Sequence, residues 1–140
     1  MKKILFALLA VTYIAMAGCS GSDHPEAEAA AVESASAWLS LVDNEKYKES
    51  WDTAAAFFKG TVPEPHWIAT MASGRKPFGK TISRELESKE YHTSQPGAPD
   101  GEYVVIQFKT SFANKKDAVE TITPMREKDG TWRVSGYYIK

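Results

Sequence analysis

The sequence predicts an α+β fold in which about three N-terminal helices cover one face of a four-stranded antiparallel sheet. Three observations predict it. Apolar residues recur at helical spacing from Val32 to Met71. The period drops to two after Gly79. Four strand-like runs then follow, separated by segments rich in turn formers.

The first helix is expected over 25–42. Asp23, Pro25 and Glu26 resemble a helix start, and Val32, Ala35, Leu39 and Val42 make one apolar stripe that Trp38 and Leu41 widen. "DNEK" at 43–46 breaks it. A second helix carries Tyr47, Trp51, Ala54 and Phe58, with Gly60 at its end. Thr61 and Glu64 have capping-box spacing and open a short third helix with Trp67, Ile68 and Met71, closed by Gly74. "RKPFG" at 75–79 is a turn-rich link.

In the first strand Ile82, Arg84 and Leu86 alternate with Ser83, Glu85 and Glu87, which puts the arginine on the apolar face. "TSQPGAPDGE" at 93–102 is a long loop. Val104, Ile106, Phe108, Thr110 and Phe112 share one face of the second strand, and "ANKK" turns the chain. A third strand spans 118–126, where Pro124 implies an edge or a bulge. Asp129-Gly130 is a hairpin signal, and "WRVSGYYIK" is the last strand.

The N-terminus gives an address. Lys2 and Lys3 precede an uncharged run, Ile4 to Ala17, which is shorter than the ~20 apolar residues that span a bilayer. It reads as an export leader. Met16-Ala17-Gly18-Cys19 resembles the bacterial lipoprotein signal, with Met16 where Leu is usual. That resemblance implies cleavage after residue 18 and acylation of Cys19, the chain's single cysteine. Each buried methylene contributes roughly 0.8 kcal/mol, so several acyl chains hold a protein on a membrane. Ser20 after the cysteine resembles the signal for outer-membrane sorting, facing the periplasm. Residues 1–18 are then the leader, 19–25 the lipidated cysteine and tether, and 26–140 a single domain.

Charge excludes little but points away from nucleic acid. Loss of Lys2 and Lys3 takes the 17 basic residues to 15, against 18 acidic ones. A mild, interspersed negative balance offers no electrostatic footprint for a phosphate backbone. No metal-ligand set, glycine-rich phosphate loop, nucleophile elbow or dinucleotide fingerprint occurs, so no cofactor is expected.

Long ordered phrases carry a second resemblance: "AWLSLVDNEKYKESWDTAAAFF", "GRKPFGKTISREL", "PGAPDGEYVVIQFKTSF" and "DGTWRVSGYYIK". Over about residues 35–140 the chain is similar to the bacterial family catalogued as domain of unknown function 4019. It is also similar to the wider nuclear transport factor 2-like, or cystatin-like, superfamily. The resemblance implies a cone in which helices wrap a strongly curved sheet around a pocket. It supplies no catalytic residues, and such folds serve enzymes, binding modules and scaffolds alike.

Candidate site residues follow from chemistry. An inward Arg84 must meet an acid (Glu85, Glu87, Asp43 or another), an anionic ligand, or water at an edge, because an unpaired buried guanidinium costs several kcal/mol. Arg75 and Lys76 either join it in an anion site or remain solvated loop charges. Trp51, Trp67 and Tyr91 either fill the core or line a pocket suited to aromatic, sugar-like or peptide ligands. His66, posed with Asp52, and His92 are the acid–base candidates.

Three functions fit. The first is a lipid-tethered, non-enzymatic module of the cell envelope that binds a small molecule, a peptide or a partner protein. The second is a small hydrolase, isomerase or dehydratase using His66 or His92. The third is a structural homodimer, with Tyr137 and Tyr138 marking an interface.

Overall fold

A computed structural model describes residues 22–140. Cys19 and the expected leader lie outside the described residues, as do residues 20 and 21 of the expected tether. Helix α1, Pro25–Asp43, begins with proline in its first turn, where a missing N–H is harmless. Glu26 and Glu28 sit in that turn, against the positive end of the helix dipole. Its buried stripe includes Ala31, Ala35, Trp38, Leu39 and Val42.

The end of α1 is a Schellman motif. Lys46 N–H donates to Leu41 O at 2.8 Å, and Glu45 N–H donates to Val42 O at 3.0 Å. This closure needs a left-handed residue, usually glycine. Here Glu45 fills the position, at φ 60°.

The single helix expected over 47–60 is corrected to two, α2 Tyr47–Asp52 and α3 Ala56–Thr61. Ala54 and Ala55 are fully buried between them, and Ala55 N–H donates to Val134 O of the last strand at 2.8 Å. The Glu127 carboxylate accepts from Ala56 N–H at 2.9 Å and so serves the open start of α3. Docking on the sheet edge thus replaces two helical bonds and shields that edge. The capping box at the next helix is also corrected. Pro63 precedes α4, Glu64–Gly74, without a side-chain cap, and the Thr61 hydroxyl donates backwards to Phe57 O. A 3₁₀ turn, Lys76–Phe78, leads to the sheet.

The sheet contains β1 Thr81–His92, β2 Tyr103–Phe112, β3 Lys115–Arg126 and β4 Trp132–Ile139, in the order β1-β2-β3-β4, every neighbour antiparallel. The α+β class and four hairpin-ordered strands are as expected, with four helices instead of about three. β3 starts at Lys115, three residues before the expected boundary. Pro124 lies on an interior strand and is accommodated by a register shift next to Thr123, the bulge alternative.

β1 departs from simple alternation. Irregularities between Thr81 and Ser83 and between Leu86 and Ser88 interrupt its pairing. Ile82 is 64 % exposed and Leu86 46 %, whereas Arg84 is turned into the fold. The core forms between α1, α4 and the inner face of the sheet, where Trp38, Trp67, Phe58, Val104, Ile106, Phe108, Ile122 and Val134 meet. Among the described residues no helix is long and apolar enough to cross a membrane.

Candidate functional site

The inner face carries one polar cluster to which α1 and all four strands contribute. Asp43 closes α1, Arg84 projects from β1, Thr110 from β2, Glu120 from β3 and Tyr137 from β4. Arg84 binds Asp43 through two parallel bonds, Nη1 to Oδ2 at 2.7 Å and Nη2 to Oδ1 at 2.9 Å. Its third nitrogen, Nε, donates to Glu120 Oε1 at 2.7 Å. Glu120 is fully buried. Its oxygens also accept from Thr110 Oγ1 at 2.6 Å and from the Tyr137 hydroxyl.

Arg75, just past α4, completes the cluster. The sequence allowed it to be a solvated loop charge, but it is only 4 % exposed. Its guanidinium donates to Gly79 O at 2.8 Å, Thr81 Oγ1 at 3.2 Å and Asp43 Oδ1 at 3.4 Å. It lies over the Phe112 ring, 4.3 Å from the centroid. Thr81 Oγ1 in turn donates to Asp43 Oδ1 at 2.9 Å.

Electrostatics follow from this geometry. Burial pushes the Asp43 carboxyl up, but the hydrogen bonds and charge of Arg84, with Thr81 and Arg75, outweigh it and hold the group below its ordinary 3.8. Burial likewise works against the Arg84 charge, and its bonds to Asp43 and Glu120 raise its pKa regardless. Burial and the Glu120 carboxylate push the Tyr137 hydroxyl upward. Two arginines face two carboxylates, so the cluster is neutral, and Arg84 has every donor nitrogen committed to protein.

Arg84 and Arg75 are therefore brought together, through Asp43. Glu85 and Glu87 are not its partners. Glu120 was not singled out by sequence reasoning, although a signal exists: it shares strand parity with Ala118 and Ile122, so a carboxylate on that stripe had to point inward.

The other candidates are dispersed. Trp67 is core, its indole N–H donating to Ser50 Oγ at 3.0 Å. Trp51 is partly buried, donates to Val62 O and has the Lys59 ammonium over its ring. Tyr91 stacks on His24 at a centroid distance of 3.7 Å and bonds Glu102. These three do not share a pocket. His66 is exposed on α4, and the Asp52 carboxylate pairs with Lys48 at 2.9 Å, not with His66. His92 is half-exposed, 3.4 Å from Glu90, on a shallow groove beside Tyr91. Cys19 lies outside the described residues. Tyr137 is turned inward to Glu120, whereas Tyr138 is exposed.

Residues 34–137 match the model of a family described as "Protein of unknown function (DUF4019)". No curated protein and no solved structure matches the chain.

Proposed function

This chain belongs to the DUF4019 family, and we propose that it is a lipid-anchored, non-enzymatic binding module of the bacterial cell envelope, with the nuclear transport factor 2-like kind of cone as its scaffold. One observation carries the non-enzymatic reading. The polar groups facing the interior bind each other, and the rest of that space is filled by Trp38, Trp67 and their neighbours. An acid–base catalyst needs a titratable group with a free face toward a substrate. Glu120 has none, and the oxygens of Asp43, which reaches a cavity edge, are taken by Arg84, Arg75 and Thr81, which moves recognition to the surface.

The anchor is supported by Met16-Ala17-Gly18-Cys19 and by the short span from Cys19 to Pro25, where α1 starts. At ~3.5 Å per residue, six residues reach about 20 Å, so the first turn of α1 stays close to the bilayer. In an outer membrane the module faces the periplasm, where anchoring raises its local concentration near envelope partners.

Metabolic labelling of the full chain with a palmitate analogue tests the anchor. Wild type is expected to carry the label and fractionate with membranes, and Cys19→Ala to lose both. Label on Cys19→Ala, or unlabelled soluble wild type, overturns it. Cross-linking in intact cells tests the binding role through recovery of one reproducible envelope partner from wild type but not from Cys19→Ala. A pairing of two copies is a second reading, favoured by exposed Ile82 and Leu86 on edge strand β1. Light scattering that gives a monomer across a wide concentration range removes it.

A further inference from the structure

We propose that the end of the domain opposite the start of α1 holds a binding site for phosphate or a phosphate monoester. A cavity of about 380 Å³ lies where α1 turns into α2, against the 3₁₀ turn, and is lined by Tyr47, Arg75, Lys76 and Lys80, with Asp43 and Glu45. Four features make it a donor site.

Arg75 is buried beside the cavity and brings a positive charge there, its Nη1 and Nη2 being held by Gly79, Thr81 and Asp43. Lys80 forms no ion pair and no side-chain hydrogen bond among the described residues, and neither does the hydroxyl of Tyr47. Lys76 has only a half-exposed partner, Glu45, at 3.3 Å.

The acceptors present are already engaged. Asp43 takes bonds from Arg84, Arg75 and Thr81. That leaves the Lys76 and Lys80 ammoniums and the Tyr47 hydroxyl around one cavity, beside the charge of Arg75. Three donors and a neighbouring guanidinium charge suit the several oxygens of a tetrahedral phosphate better than the two of a carboxylate. The cavity exceeds a bare phosphate, so an attached sugar or glycerol also fits. The site is independent of the anchor, and α1, at ~1.5 Å per residue over its 19 residues, sets it nearly 30 Å from the tethered end.

Isothermal titration and amide-shift mapping of the full chain with inorganic phosphate, and separately with glycerol phosphate, test this. Saturable binding is expected, with shifts centred on Tyr47, Arg75 and Lys80. Tighter binding of the ester identifies an organic phosphate as the ligand; equal binding identifies the free anion. Lys80→Ala and Tyr47→Phe should each weaken binding, by about tenfold for the lysine. Glu45→Gln should tighten it by removing the opposing charge, an effect that a purely structural role would not produce. Lys59→Ala, at a distant surface, should change nothing. Absence of saturation, shifts elsewhere, or Lys80→Ala and Glu45→Gln both behaving as wild type overturns the site. A circular-dichroism melt of each variant shows that it is folded.

Discussion

The guanidinium of Arg84 and the carboxylate of Asp43 meet side by side, with two parallel bonds of 2.7 and 2.9 Å joining the first strand to the last residue of the first helix. The same arginine turns its third edge to Glu120 on β3. One side chain therefore ties the helical layer to two strands, and its loss leaves two carboxylates with only Arg75 to answer them.

Arg84→Ala is expected to destabilise the fold by about 3–5 kcal/mol, the cost of stranding buried charges. Arg84→Lys keeps the charge but not the bidentate geometry and falls between. Urea unfolding followed by tryptophan fluorescence measures both. A loss under about 1 kcal/mol for Arg84→Ala contradicts the central role assigned to this residue.

Asp43 gives the cluster a pH signature. Its folded pKa lies below its unfolded value near 3.8, so the stabilisation is fully present above that value and fades as pH falls through the folded pKa. The stability gap between wild type and Asp43→Asn should thus be widest at neutral pH and shrink in acid below 3.8. Urea midpoints compared across that range check it, and a gap that does not narrow refutes the pairing.

Glu45 stands where the helix stop wants glycine. A non-glycine residue in the left-handed region costs about 1–2 kcal/mol, so Glu45→Gly should stabilise the protein by about 1 kcal/mol after its added unfolded-state entropy. The melting temperature should rise. A fall would mean that the Lys76 pair, at 3.3 Å, contributes more than the backbone strain.

Ser50 is a hub for two indoles. Its hydroxyl accepts from Trp67 Nε1 at 3.0 Å and donates to Tyr47 O at 2.7 Å, while its carbonyl accepts from Trp38 Nε1 at 2.8 Å. Ser50→Ala should strand the Trp67 N–H and cost about 1–3 kcal/mol. A shifted tryptophan emission in the folded state should accompany the loss; wild-type stability and emission together would remove Ser50 from this role.

Local pattern carried much of the architecture. The change of apolar period near Gly79 separates helices from strands because side-chain direction repeats every 3.6 residues in one and every two in the other. The break at Ala54–Ala55 was not legible, because its cause is Val134, far along the chain. Irregularities in β1 were equally hidden: they depend on register with β2, and they left Ile82 exposed while Arg84 stayed inside.

By itself the sequence determined the order of helices and strands and the need of an inward Arg84 for negative charge. Those are consequences of periodicity and of the cost of burying an ion. Only the tertiary structure decided which acids answer it. Asp43 and Glu120 are 41 and 36 residues away in the chain and come together because helix α1 ends over the sheet and β3 lies beyond β2. It also decided that Arg75 is buried against Phe112 instead of standing in water. Burial is a property of the neighbours that fold onto a residue, and no local spacing encodes them.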